Sequence, residues 1–169
     1  MTNLVLIDCH DLGQHLACYG WSSVPSDNLD RLASDGIRFE NSFCTSPQCS
    51  PSRAALYTGR YPHNNGMFGL AHHPFSWRLK SEETYLAKYL QTAGYETAHV
   101  GIQHVTSTTD YDVKQLGFDR VLTGYLAHEI ADSAVEFLAQ DHDRPFFLNM
   151  GFFEPHRDKT GGFRQAQPD

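Results

Sequence analysis

The sequence predicts an α/β fold, a mostly parallel β-sheet with helices on both faces. Three observations carry this. Leu4-Val5-Leu6-Ile7 and residues 145–153 are apolar without polar alternation, the pattern of strands buried on both sides. Helical patterns lie between the strand patterns, so the connections are crossovers and the strands run parallel. Polar clusters (His10-Asp11, His104 and His156) follow three of the strands, where the functional loops of such a sheet lie.

Taken in order, residues 3–8 form the first strand, delivering Asp8, Cys9, His10 and Asp11 into a loop. Ser26-Asp27 precede Leu29, Leu32 and Ala33 at helical spacing, which predicts a Ser-capped helix to about Gly36. Residues 37–43 alternate and predict a strand. Residues 51–57 read as a helix with Pro51 in its first turn. Residues 82–93 give an amphipathic helix with Leu86, Tyr89, Leu90 and Ala93 on one side and Gly94 as its stop. A strand follows over 97–101, a helix over 127–139 carrying Ile130, Ala134, Phe137 and Leu138, and a strand over 145–153. The polar tail from Lys159 has no element of its own.

The 169 residues suit one domain with a real core. A net charge of -7 argues against nucleic acid as partner, where basic stripes are expected. It leaves an anionic substrate open, because anion sites are built locally from helix N-termini, Arg, His and metal. No stretch is apolar enough to span a bilayer, so no membrane partner is expected. The first residues lack a basic region and a cleavage site, so the chain as written reads as cytoplasmic, an exported parent being compatible with it. The four cysteines show no Cys-X-X-Cys pairing. Cys9, Cys18 and Cys44 are expected to be buried small hydrophobes.

Cys49 differs through its neighbours. In Cys49-Ser50-Pro51-Ser52-Arg53-Ala54-Ala55-Leu56-Tyr57-Thr58-Gly59-Arg60 the cysteine stands at a helix start, where unbonded N–H groups and positive potential favour an anion. Arg53, one turn on, reaches back toward the same place. A thiol there is acidic and reactive. The residues alone thus give a nucleophile beside an anion pocket.

This segment, Cys-X-Pro-Ser-Arg followed by Thr-Gly-Arg, resembles the signature of the type I sulfatases. The resemblance continues through Asn3 to Gly13, Cys18-Tyr19-Gly20, Asn28-Leu29-Asp30-Arg31-Leu32-Ala33, Tyr61-Pro62-His63-Asn64-Asn65-Gly66, and Arg144-Pro145-Phe146-Phe147-Leu148 on to Glu154-Pro155-His156-Arg157. Asn65-Gly66-Met67, Gly69-Leu70 and Pro155-His156-Arg157 look most like the heparan N-sulfatase (sulfamidase) branch and its bacterial relatives.

The resemblance implies an alkaline-phosphatase-like sulfatase fold and hydrolysis of a sulfate ester or sulfamate, on a sulfated sugar or another carrier. It implies that a formylglycine-generating enzyme converts Cys49 to formylglycine, whose hydrate attacks sulfur with one oxygen and expels sulfate with the other. It implies one divalent cation, calcium in most relatives, with Asp11, His10 and modified Cys49 as ligands. Arg53 orients the formylglycine, His104 donates a proton or binds a sulfate oxygen, and His156 lies on the substrate side.

Two positions depart from the pattern. His10 stands where an aspartate is usual, and imidazole suits softer metals than calcium. Either it binds a different ion, or it leaves the metal shell, or the site is impaired. Asp8 is a possible substitute, although a local pairing suits it better. Ile102 stands where a lysine is usual in Gly101-Ile102-Gln103-His104, removing a charge-assisted bond to the anion; Gln103 is a weaker neutral replacement. His15, His72, His73, His99, His128 and His142 have no motif support and are read as surface or structural, as is His63 near the Gly59-Arg60 turn. No Asp-Asn pair or second lysine follows His156, so residues 1–169 are expected to be the N-terminal part of a catalytic domain, inactive alone. A non-catalytic anion-binding chain and a phosphomonoester or phosphonate hydrolase on the same fold are the alternatives.

Overall fold

A computed structural model of the chain describes residues 2–106 and 109–157. It divides into two compact units, one of Met1–His10 with Thr45–Asp169 and the other of Asp11–Cys44.

The larger unit is the α/β body. Its strands are β1 (Leu4–Asp8), β2 (Glu96–Gly101), β3 (Arg120–Leu122) and β4 (Phe146–Gly151), in the order β1-β4-β2-β3 with every pair parallel. Phe146, Leu148 and Met150 of β4 join Ala98 and Val100 of β2 against Ile130, Ala134 and Phe137 of a helix over Ala127–Leu138. Phe147 points to the other face, into a second core with Ala54, Tyr57, Met67, Tyr85 and Phe118. Period-2 alternation thus feeds two apolar layers, which is why β4 is apolar apart from Asn149 and buried at every position.

The register fixes where the sheet's chemistry lies. Asp8 pairs with Gly151, and Gly151 with Gly101, so three strands end in line. A Cβ on Gly101 would lie 2.1 Å from the Gly151 carbonyl oxygen, and one on Gly151 would lie 1.9 Å from that of Ile102. Only glycine permits this approach, and Gly101 also has φ 85°. The Ile102 N–H donates to the Gly151 oxygen at 2.8 Å, the last bond of this parallel ladder.

The smaller unit holds a 3-10 turn at Ala17–Tyr19 and a helix over Asp27–Asp35. Ser26 does not cap this helix with its side chain. Its hydroxyl accepts from the Ala17 N–H at 2.9 Å and donates to Asp30 at 3.0 Å, tying the helix to the turn.

The expected strand over 37–43 is absent: the segment is irregular, and Ile37, Phe39 and Phe43 are exposed. Alternation alone does not make a strand without a partner to satisfy its backbone. The helix expected from residue 82 begins at Leu86 and ends at Thr92, because Tyr85 is extended and buried against Tyr57, ring centroids 4.6 Å apart. Two short helices, Pro62–Asn65 and Asp110–Gln115, and the three-residue β3 are too brief to leave a periodic signature. The cysteines are free, and Cys9 and Cys44 are exposed and Cys18 half-buried, so the expected burial of these three does not hold. No helix among the described residues is long and apolar enough to cross a membrane.

Candidate active site

A helix over Cys49–Thr58 carries the signature, with Cys49 its first residue and Gln48 the extended residue before it. Pro51 falls in the first turn, where a missing N–H costs nothing. Gly59, at φ 67°, closes the helix by donating to the Ala55 carbonyl. Ser50 is fully buried and its hydroxyl accepts from the Ala71 N–H at 3.0 Å, which anchors the helix start to the chain beyond it.

Arg53 is 6% exposed and turns back toward the strand ends. Its Nη1 donates to Asp8 Oδ1 and, at 3.1 Å, to the carbonyl of Ile102. Its Nη2 lies 3.4 Å from His10 Nδ1. Asp8 therefore does not pair locally: its other oxygen accepts from the Tyr57 hydroxyl and from Asn149 Nδ2 at 3.2 Å. Asn149 Oδ1 lies 3.1 Å from Nδ1 of the buried His99. Burial first, and then the Asp8 charge, pushes the Tyr57 hydroxyl well above its usual range. Tyr57 thus stays a neutral donor to the carboxylate.

The loops after β1, β2 and β4 meet beside Cys49. The ligand atoms of His10, Cys49 and His104 all lie within 4.8 Å of one another, with His10 buried and the other two half-buried. The His10 ring is 5.9 Å from that of His104 and 5.2 Å from that of His156, both edge-on. His10 Nδ1 lies 3.2 Å from the Phe152 carbonyl; donation there places the ring's lone pair on Nε2. His104 adopts φ 57°, a strained backbone that persists only where its surroundings impose it. Its Nδ1 is buried without a hydrogen-bond partner among the described residues. Burial, and then His10, His72, Arg53 and His156, hold its imidazole down to about 4, so it is neutral near pH 7. A neutral ring suits a hydrogen bond to an anion, or a metal, better than delivery of a proton from an imidazolium.

The structure thus brings together Cys49, His10, His104 and His156, with Arg53 against His10. Asp11, at φ 53°, is the first residue of the other unit. Gln103 is not turned to the anion: its Oε1 accepts from the N–H groups of Val105 at 2.6 Å and Thr106 at 3.0 Å, so its amide shapes the loop that presents His104. Ile102 is buried, and the Arg53 guanidinium sits on its carbonyl. His72, without a motif of its own, stacks on His104 with centroids 5.4 Å apart and planes at 13°. Only the fold reveals it.

Two imidazoles and a sulfur atom form a donor set that fits a divalent transition metal and does not fit calcium, which takes six to eight oxygens.

The chain resembles human N-sulphoglucosamine sulphohydrolase, with 33% identity over 159 residues, 92% of this chain and 32% of the relative. It is 31% identical to N-acetylglucosamine-6-O-sulfatase of Bacteroides thetaiotaomicron over 165 residues, 86% of this chain and 29% of the relative. The chain thus spans less than a third of the length of these relatives. Its fold superposes with TM-score 0.78 and 28% identity on a protein solved with its substrate D-glucosamine-2-N,6-O-disulfate, covering 92% of this chain and 35% of the other. This places the sheet in the sulfatase, alkaline-phosphatase-like class of folds. The Sulfatase family model matches residues 2–169, which span the strand ends and the helix that opens at Cys49, and the chain belongs to that family.

Proposed function

We propose that residues 1–169 are the N-terminal part of a sulfatase catalytic domain, and that the whole protein hydrolyses the sulfate ester or sulfamate of a sulfated sugar with formylglycine made from Cys49. One observation carries this reading. Cys49 opens a helix at the place where the loops bearing His10, His104 and His156 meet. The relatives named for N-sulphoglucosamine and N-acetylglucosamine-6-O-sulfate support an aminosugar as carrier.

The chain's own residues divide the work. The helix start offers its first N–H groups and positive potential to sulfate. Arg53, held by Asp8 and the Ile102 carbonyl, is a fixed positive charge one helical turn from the nucleophile. A neutral His104 binds a sulfate oxygen or the bridging atom through N–H, and His156 faces the carrier. Converted Cys49 supplies a geminal-diol oxygen as nucleophile and a second oxygen to release sulfate. A divalent cation, when bound, supplies polarisation of the sulfate oxygens. The ligand roles that the motif gives Asp11 and His10 belong to the same proposal.

The test is mass spectrometry of the peptide containing residue 49 after co-expression of the whole protein with a formylglycine-generating enzyme. A loss of about eighteen mass units, with turnover of an N- or 6-O-sulfated glucosamine that Asp11→Ala abolishes, is the expected result. A retained thiol with sulfate binding and no turnover establishes the second reading, a non-catalytic anion-binding chain. The buried apolar Ile102 at the usual lysine position favours that reading.

A further inference from the structure

We propose that, while Cys49 remains a thiol, His10, His104 and Cys49 form a binding site for a zinc-class divalent transition metal, separate in preference from the hard cation of a converted sulfatase. This concerns the unconverted side chain and holds whether or not Cys49 is ever converted.

The argument starts from the donors. Their ligand atoms lie within 4.8 Å of one another. In a tetrahedral site with metal–nitrogen bonds of about 2.1 Å and a metal–sulfur bond of about 2.3 Å, donors stand roughly 3.5 Å apart. Side-chain rotations of about an ångström close the difference. Each donor comes from a different, well-anchored segment: His10 from the end of β1, Cys49 from the first turn of its helix, His104 from the loop that Gln103 shapes. His10 has Nδ1 against the Phe152 carbonyl, a hydrogen bond of the kind that fixes a ligating imidazole and directs Nε2 to the metal. His104 presents Nδ1 buried and unpartnered among the described residues. The fourth position is open to water or to His156, whose ring lies 5.2 Å from that of His10. On binding, the Cys49 thiol gives its proton to solvent and the sulfur forms the metal bond. Two imidazoles and a thiolate suit zinc or cobalt and leave calcium without an oxygen donor among the three. Conversion of Cys49 removes the soft ligand, so the metal preference of this position changes with the chemical state of residue 49.

The experiment uses the full chain made without a formylglycine-generating enzyme, its thiol verified by intact mass, and titrated with cobalt. The expected result is a thiolate-to-cobalt charge-transfer band with intense visible bands of tetrahedral cobalt, displaced by zinc and unaffected by excess calcium. Cys49→Ser abolishes the charge-transfer band. His10→Ala and His104→Ala each weaken cobalt binding by about tenfold or more. A Cys9→Ser, Cys18→Ser, Cys44→Ser triple variant keeps the band. Absence of the band, or its survival in Cys49→Ser, overturns the proposal. Should a histidine variant fail to fold, paramagnetically shifted imidazole N–H resonances of the cobalt-loaded unsubstituted chain count the ligands: two support the site, and fewer overturn it.

Discussion

Asp8 and Arg53 form an ion pair across 45 residues of sequence, with side chains only 12% and 7% exposed. A buried pair earns little net stability, but removing one partner strands the other charge. Asp8→Asn keeps the shape and deletes the charge. It is expected to destabilise the chain by about 3–5 kcal/mol, read as a lower urea midpoint with unchanged slope. It also frees Arg53 from the position that directs it at His10, so activity of the whole protein falls more than expression does.

His104 predicts a pH dependence of stability. Its folded-state pKa is lowered from the ordinary 6.5 to about 4, burial being the first cause. Between those values the unfolded chain binds the extra proton and the folded chain does not. Stability therefore rises with pH across this window, is complete above about 6.5, and is lost as pH falls toward 4. His99, also held down by burial, adds a slope of the same sign. His104→Gln is expected to flatten the slope in part, measured as urea midpoints from pH 4 to 7. An unchanged slope would mean that His104 is not held neutral by its surroundings.

Gly101→Ala should be costly for a steric reason unrelated to charge. Its Cβ would meet the Gly151 oxygen at 2.1 Å on a backbone at φ 85°. The strands must part or the turn must change, at a cost of about 2 kcal/mol or more. The turn leads directly to His104, so sulfate affinity of the whole protein is expected to fall with stability. Thermal unfolding alongside sulfate titration checks both.

The sheet was legible because Leu4-Val5-Leu6-Ile7 and residues 145–153 are apolar strand-forming runs, and parallel connection then places His10, His104 and His156 on one edge; burial on both sides holds for β4 and not for β1, an edge strand among the described residues with Leu4, Val5 and Ile7 exposed. Cys49 and Arg53 were legible because helix-start chemistry is local. What escaped depends on contacts between distant segments. Asp8 looks like a strand-end residue until Arg53, Tyr57 and Asn149 gather on it. His72 gains meaning only by stacking on His104. Gln103 resembles an anion donor until its amide is seen folded onto its own loop. The segment 37–43 has a strand's alternation without a neighbour to pair with.

Cys49→Ala separates chemistry from folding. Cys49 is half-buried at the first position of its helix, and alanine there keeps the backbone hydrogen bonds of the helix. Its loss is expected to change stability by less than about 1 kcal/mol and to reduce sulfate hydrolysis by the whole protein by several orders of magnitude. Paired urea and steady-state measurements check this; a large stability loss would recast Cys49 as a packing residue.

The chain of 169 residues by itself is expected to show little or no sulfatase turnover even with Cys49 converted. The argument is one of positioning. The residues assembled at Cys49 are His10, His104, His156 and Arg53, and the soft donors among them give a hard cation few oxygens. Sulfate held by one guanidinium, a helix start and a neutral imidazole, without a hard cation to fix its oxygens, is not kept in line for attack, which forfeits much of the gain from orientation. The sheet points the same way. β1 pairs only with β4 among the described residues, and Leu4, Val5 and Ile7, three residues of an apolar run, are 39%, 47% and 52% exposed. An apolar strand with an unpaired edge invites further strands or association with other chains. The chain alone should therefore self-associate as its concentration rises, as light scattering would show, while a longer form that continues the sheet stays dispersed. Assay of the converted 169-residue chain on N-sulfated glucosamine, with calcium and with zinc, tests the activity directly. Turnover that matches the longer form and vanishes in Cys49→Ala would refute the incomplete-site argument and show that these residues, with water or a second copy of the chain, complete the site.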